Sequence, residues 1–273
     1  MRSKRIAIGI IVLAFMMSIS ASSVFGEENI PGLREVSTAN EHYFVYEKDG
    51  KELRQGLYKK THSNGQKLME GQYEQGKKDG SWTYWDNKGN IIKTESYKKG
   101  ERHGKWAEWY YNGKKLFEAE FKDDQPIGTK KEWSMDGNLK AETNYSQIKS
   151  GLLAEVTGWY STGQMQSKST YLNGKQYGLE TRWFLNGNKT SEFNYTNGQR
   201  NGLCETWYEN GNPKTTDTYV NGRKTGKSIE WYDDGQKKSE GIYSDGKDGL
   251  WTFWEKSGEI QKQVKYQKGR VVK

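Results

Sequence analysis

Eight tryptophans recur at near-constant spacing along this chain: Trp85, Trp109, Trp133, Trp159, Trp183, Trp207, Trp231 and Trp254, separated by 24, 24, 26, 24, 24, 24 and 23 residues. A fixed period in that range marks a repeat array. Each unit is one supersecondary element too small to bury its own apolar surface, and stacking on its neighbours supplies the missing burial. The pattern therefore constrains the shape of the molecule far more than its chemistry.

Aligned on these tryptophans, the unit reads G-x-x-x-x-W-aromatic-x-x-G-x7-aromatic-x-x-G-x-x-x-G, most clearly over 80–104 and 202–226. The opening glycines are Gly80, Gly104, Gly128, Gly178, Gly202, Gly226 and Gly249, with Ala154 in the same slot of one unit. A closing aromatic follows in every unit: Tyr97, Phe121, Tyr145, Tyr171, Tyr195, Tyr219, Tyr243 and Tyr266. A degenerate copy runs from Gly56 to Tyr73 with Thr61 in the tryptophan slot, and 46–58 reads as a partial unit capping the start. Asn112-Gly113, Asp136-Gly137, Asn186-Gly187, Asn210-Gly211 and Asp234-Gly235 are pairs that tolerate the positive φ of tight hairpin turns. A second set of turns, Asn173-Gly174, Asn197-Gly198 and Asn221-Gly222, joins one unit to the next. The segments between turns are strand-length and aromatic, so each unit is one β-hairpin. The expected fold is all-β, a tandem β-hairpin repeat array forming an elongated, single-layered antiparallel sheet or solenoid.

Alternation within the second strand gives it two faces. Glu118 and Glu120 oppose Phe117, Ala119 and Phe121, and Glu192 and Asn194 oppose Phe193 and Tyr195. Which face takes the repeating tryptophan depends on whether the hairpin loop holds two residues or three, which the sequence leaves open. About 18 strands at about 4.8 Å each make a sheet on the order of 85 Å long. Lys262, Lys265, Lys268, Arg270 and Lys273 fit a last strand protected by charge. The unit around Trp133 is flanked by a connector lacking the turn glycine (122–128) and by a two-residue insertion within 146–155. This is either drift in a surface turn or a bend that creates a concave site.

The first residues carry Arg2, Lys4 and Arg5, then an apolar run from Ile6 to Ile19, then small residues up to Gly26. This order reads as a secretory signal peptide cleaved after Gly26, with an uncleaved membrane anchor as the competing reading. The apolar run falls short of the roughly 20 residues a membrane span needs. The expected organisation is a signal peptide over 1–26, a linker over 27–45, and a repeat domain over 46–273 of about nine units of ~24 residues. Export places the mature chain in the periplasm, at the cell surface or outside the cell. Loss of the three basic residues takes the formal charge from +8 to +5. The charges are interleaved, so no nucleic-acid partner is expected. The lone Cys204 forms no internal disulfide. Cohesion falls to aromatics, which are 37 of 273 residues, in a thin structure built on large rings.

The G-x-W-x-x-W-Y-x-N-G-x7-F/Y-x-N-G-K-x-x-G pattern over 46–273 resembles the bacterial variant of the MORN repeat, in proteins labelled YwqK-type antitoxins. The resemblance implies stacked β-hairpins that act in binding or scaffolding. Relatives in eukaryotes are associated with membranes, anionic lipids and protein assembly. The units here are about one residue longer than that pattern and carry tryptophan in the first strand, so lipid binding does not carry over.

Catalytic chemistry finds little support. His42, His62 and His103 lack a second histidine or cysteine at metal-ligand spacing and read as solvated side chains. Cys204 sits where other units carry Trp82, Trp106 and Trp251, which reads as a small packed residue rather than a nucleophile. The parity of the acidic residues puts them on the exposed strand face. No catalytic residue, metal site or cofactor is expected. Two candidate binding features remain. Lys77, Lys78, Lys99, Arg102, Arg200, Arg223, Lys224 and Lys247 gather at the inter-unit turns, where stacking would align them into a basic ridge for anionic glycan, lipid headgroups or an acidic protein, or leave them as ordinary solubility charge. The tryptophan ladder is either a spine between hairpins or a surface for stacking sugars. The chain is expected to be a monomeric, exported, non-catalytic protein that presents an extended surface to a protein or cell-envelope partner. An antitoxin or immunity protein that neutralises by binding is the alternative.

Overall fold

The computed structural model describes residues 30–272, so the expected signal peptide lies outside the described residues. Those residues form 23 strands and no helix, all in one antiparallel sheet. Each strand pairs with its neighbours in the chain, from Arg34–Ser37 at one edge to Arg270–Val272 at the other. Two strands are interrupted for a single residue, at His103 and Tyr177. The sheet thus has 21 rows, two fewer than the strand count, and spans on the order of 100 Å. It is longer than the 18 rows expected because the array begins two strands earlier and ends one later, Arg270–Val272 turning back to pair with 265–267 where a single last strand was expected. Residues 34–37 and 41–48, assigned to the linker as far as residue 45, instead pair Arg34 with Val45 and Ser37 with His42. Burial explains the difference: Val45 is enclosed, and the Tyr43 ring packs on Tyr58 at 5.9 Å, so this strand covers the first hairpin's aromatic surface.

The hairpin loops have three residues. In the Gly104 unit the Tyr110 amide donates to the Lys114 carbonyl at 2.8 Å and the Gly113 amide to the Tyr110 carbonyl at 2.9 Å, enclosing Tyr111, Asn112 and Gly113. The glycine alone is left-handed, with φ of 79° at Gly113. The expectation that its preceding Asn or Asp also needs positive φ is corrected: Asn112, Asp136, Asn186, Asn210 and Asp234 all have ordinary φ. These loops combine an ordinary turn with a bulged glycine, a three-residue geometry, rather than the two-residue mirror-image turn. The asparagine has another task. Asn210 Oδ1 accepts the Asn212 amide at 3.0 Å while its Nδ2 donates to the Asp233 carbonyl of the next unit at 2.6 Å. Asn64, Asn112 and Asn186 reach across in the same way. Asn210→Ala should therefore cost about 0.5–1.5 kcal/mol in urea unfolding, and a loss no greater than that of a solvent-facing control would remove this role. The inter-unit turns behave as expected: Asn197-Gly198 has φ of 51° and 80°, and Asn221-Gly222 has 49° and 78°.

The irregular unit has a local explanation. Opening glycines such as Gly80 (φ 70°) sit at a bulge where pairing shifts register. Ala154 avoids that conformation, and the pairing of 151–158 with the preceding strand, 141–148, runs through without a shift. The two inserted residues lengthen the preceding hairpin, which pairs as far as Ile148 with Gly151. In the connector lacking a glycine, Asp123 and Asp124 both take positive φ and make the turn themselves.

Candidate functional site

The three-residue loop settles which way the tryptophans face. Trp85 is three positions beyond Trp82 in one strand, so the two side chains leave opposite faces of the sheet. Trp82 is fully buried, at 0% exposure, whereas the eight repeating tryptophans are half-buried.

On the Trp82 face, rings touch from one hairpin to the next. Tyr58 packs on Trp82 at 5.7 Å, Trp82 on Tyr73 at 4.9 Å, and Trp106 on Tyr97 and Phe121 at 5.2 and 5.4 Å. Tyr243, Trp251 and Tyr266 repeat the arrangement at the far end. The spine therefore runs through these positions and the closing aromatics, not through the repeating tryptophans. Close approach matters here. A Cβ on Gly71 would lie 2.2 Å from the Trp82 indole, and one on Gly241 would lie 2.2 Å from that of Trp251, so each ring lies flat on bare backbone. Between the two aromatic ends the buried row holds Thr143, Ser169, Glu180, Cys204 and Ser228. Cys204 is a packed residue, and burial pushes its thiol up.

Cations stand over these rings, two positions before the opening glycine. Arg54 lies 4.9 Å from the Tyr43 centroid and 5.1 Å from that of Tyr58. Arg200 lies 3.9 Å from Phe193, Arg102 lies 4.3 Å from Phe121, and Lys224 lies 5.0 Å from Tyr243. Carboxylates complete the network. Glu95, only 5% exposed, takes Lys93 at 2.6 Å, Lys78 at 3.1 Å, and the Tyr84 and Tyr97 hydroxyls at 2.7 and 3.1 Å. Burial alone would push the Glu95 carboxyl up, but the donors Lys93, Tyr84 and Lys78 outweigh it and hold it below its ordinary value. Burial first, and then the same carboxylate, push both phenols up. Asp217 pairs with Lys224 at 2.9 Å and accepts from Ser228 at 2.6 Å, and Glu180 pairs with Arg182 at 2.8 Å. Glu95, Glu180 and Asp217 thus correct the expectation that the acidic residues sit on the exposed face. The signal was available: Glu95 and Asp217 each stand two residues before a closing aromatic and share its face.

The expected basic ridge divides in two. Lys78, Arg102, Arg200, Lys224 and Lys247 lie half-buried against the aromatic face, whereas Lys77, Lys99 and Arg223 are exposed at the turn edge. Sequence alignment put all eight near one edge, but adjacent residues such as Lys77 and Lys78 differ in burial because the strand alternates.

The opposite face is polar and carries the repeating tryptophans. Lysines of the preceding unit cover several of them: Lys67 over Trp85 at 5.1 Å, Lys189 over Trp207 at 5.4 Å, Lys115 over Trp133 and Lys237 over Trp254, both at 5.8 Å. Four tyrosines fix tryptophan carbonyls from the preceding unit: Tyr110 to Trp133, Tyr160 to Trp183 and Tyr208 to Trp231 at 2.8 Å, and Tyr232 to Trp254 at 2.9 Å. His62 fills the same slot, donating to the Trp85 carbonyl at 3.0 Å. His42 and His103 contact Glu35 at 2.7 Å and Asp123 at 3.1 Å. All three histidines, expected to be solvated, have protein partners. Toward the carboxyl end, Leu179, Leu203, Ile242 and Leu250 stand exposed on this face. Among the described residues no group of three or more His, Cys, Asp or Glu side chains is placed to hold a metal ion, and no helix is long and apolar enough to cross a membrane.

Comparison with known proteins assigns this architecture. The family model of the MORN repeat variant matches six segments, residues 78–99, 102–123, 152–173, 200–221, 224–245 and 247–268. Each matched segment begins at or next to the position two residues before the opening glycine, and the hairpins between the matches continue the same sheet. No match was found among curated proteins. Similar solved structures include those described as "Crystal Structure of TcdB2-TccC3-Cdc42" and "Crystal Structure of TcdB2-TccC3". Both are 12% identical with a TM-score of 0.20, over 83% of this chain but only 12% and 13% of theirs. Six family matches on one continuous array of hairpins make this chain a MORN-type repeat protein, built of the MORN repeat variant.

Proposed function

We propose that this protein is an exported, non-catalytic scaffold that presents one long surface to a protein or cell-envelope partner. Repeat arrays of this kind act through extended surfaces created by stacking. The observation that supports the reading best is the division of labour between the faces. Over most of its length one face spends its rings, cations and carboxylates on its own cohesion. The other stays open, with Leu179, Leu203, Ile242 and Leu250 in solvent beside ordered loops. The basic, apolar and small-residue order of the first 26 residues supports export. Buried carboxylates paired with lysine or arginine account for the charged clusters without catalysis.

Tagged 27–273 should retrieve a dominant partner from the envelope fraction of the native organism, identified by mass spectrometry. Capture should fall at least tenfold when Leu203 and Leu250 are both replaced by glutamate, a change to exposed positions that leaves the array folded. Capture unaffected by that change would overturn the assignment of the face. A partner that proves to be a toxin would convert the scaffold into an immunity protein.

A further inference from the structure

The last full hairpin reproduces the Glu95 constellation with its carboxylate missing. In the Gly80 hairpin, Lys78 and Lys93 converge on Glu95 beside Trp82, Tyr84 and Tyr97. At the same positions of the Gly249 hairpin stand Lys247, Lys262, Val264, Trp251, Phe253 and Tyr266. Lys247 Nζ lies 4.3 Å from the Trp251 centroid, 5.1 Å from Phe253 and 5.3 Å from Tyr266, and Lys262 Nζ lies 5.3 Å from Phe253. Both lysines therefore stand over one ring, as Lys78 and Lys93 both stand over Tyr84, at 5.3 and 5.8 Å.

Neither lysine has a carboxylate at ion-pair distance among the described residues. The array supplies acids to lysines at the Lys247 position in two ways, and both are closed here. Lys78 takes Glu95 from its own hairpin, where the matching residue is Val264. Lys224 takes Asp217 from the preceding hairpin, where the matching residue is Gly241. The groups facing Lys247 are Lys224, Lys262 and Glu230, and Glu230 is held by Lys238 at 2.8 Å. Burial first, and then the neighbouring lysines, push the Lys247 ammonium down, the opposite of the Lys224 and Lys93 ammoniums, which have acid partners. A cation held on rings without its anion is the unfilled half of a pair that the same fold completes elsewhere.

We propose that this end of the aromatic face receives a glutamate or aspartate side chain of a partner peptide, which takes the place between Lys247 and Lys262 that Glu95 takes between Lys78 and Lys93. A peptide side chain fits better than an acidic sugar. Phe253 and Val264 replace the hydroxyl and carboxylate of Tyr84 and Glu95, so the ring hydroxyls of a glycan would meet apolar surface, whereas a short aliphatic stem would not. The proposal rests on the scaffold acting through a protein partner and names one of its contacts.

The test is calorimetric titration of the mature chain with a hexaglutamate peptide and, separately, with an oligogalacturonate of equal charge. Hexaglutamate should bind at one site. Val264→Glu supplies the carboxylate from within, so it should weaken binding at least tenfold while leaving the melting temperature unchanged or higher. Lys247→Met should weaken binding by a similar factor. Equal binding by wild type and Val264→Glu, no binding by wild type, or tighter binding of the galacturonate would each overturn the proposal. The two readings separate cleanly. If hexaglutamate fails while an envelope protein is still captured, the site is wrong and the scaffold stands. If hexaglutamate binds only the wild type and no envelope protein is captured, the site stands and the scaffold reading falls.

Discussion

Replacing Trp82 by alanine should destabilise the amino-terminal hairpins by about 3–5 kcal/mol, the range for emptying a buried aromatic site. A single-layered sheet has no second layer to collapse into the space. Trp82 is enclosed by Tyr58 and Tyr73, its Nε1 donates to the Gln72 carbonyl at 3.1 Å, and its ring lies on Gly71. Gly71→Ala in the intact protein should cost about 1–3 kcal/mol, because the added methyl collides with the indole. In the Trp82→Ala background the same change should cost far less, giving a coupling of at least about 1 kcal/mol in a double-mutant cycle. Repeat arrays lose cooperativity piecewise, so hydrogen exchange is the best measurement. Protection should fall over roughly residues 43–97 while the Gly202 and Gly226 hairpins keep theirs. Equal costs for Gly71→Ala in the two backgrounds would refute the contact.

Removing the Glu95 carboxylate should have the second largest effect. Glu95→Gln leaves Lys78 without an acid and Lys93 with Glu108 alone, at 3.2 Å, and should cost about 2–3 kcal/mol at neutral pH, below the 3–5 kcal/mol of a fully enclosed pair. The discount reflects lysines that are about a third exposed. The pH dependence follows from the carboxyl lying below its ordinary value in the folded chain. Its stabilisation is complete above the unfolded glutamate value of about 4.3 and is lost as pH falls through the folded value. Wild type and Glu95→Gln should therefore differ most in urea midpoint at pH 7 and converge as pH falls below the folded carboxyl's own value. A gap as wide at pH 3 as at pH 7 would mean that the carboxylate charge is not what stabilises this cluster.

Much of the fold was legible because its determinants are local. Glycines at fixed intervals place the turns, Asn197-Gly198 and Asn221-Gly222 dictate a left-handed pair, and the opposition of Glu118 and Glu120 to Phe117 and Phe121 shows a two-faced strand. The site was less legible because its contacts join residues far apart in the chain. Lys78 and Glu95 are 17 residues apart, and Tyr208 and the Trp231 carbonyl are 23 apart. Asn112 and Asn210 were assigned to hairpin turns for their tolerance of positive φ, yet their ordinary φ leaves that task to glycine and frees the amide to bond the next unit. The acidic residues were read by majority, and Glu95, Glu180 and Asp217 are the minority that share a face with the rings.

The sequence by itself determined the periodic hairpin, its length and its family resemblance, because turn conformation and strand alternation act within a few residues. Only the tertiary structure decided which aromatic row is the spine. The three-residue loop sets the register of the second strand against the first, so Glu95 and Tyr97 share the packed face of Trp82, while Trp85, three positions further along the same strand, leaves by the opposite side. Only strand pairing, within a hairpin at Lys78 and between hairpins at Lys224, decided which lysines acquire a carboxylate and which, as at Lys247, are left with rings alone.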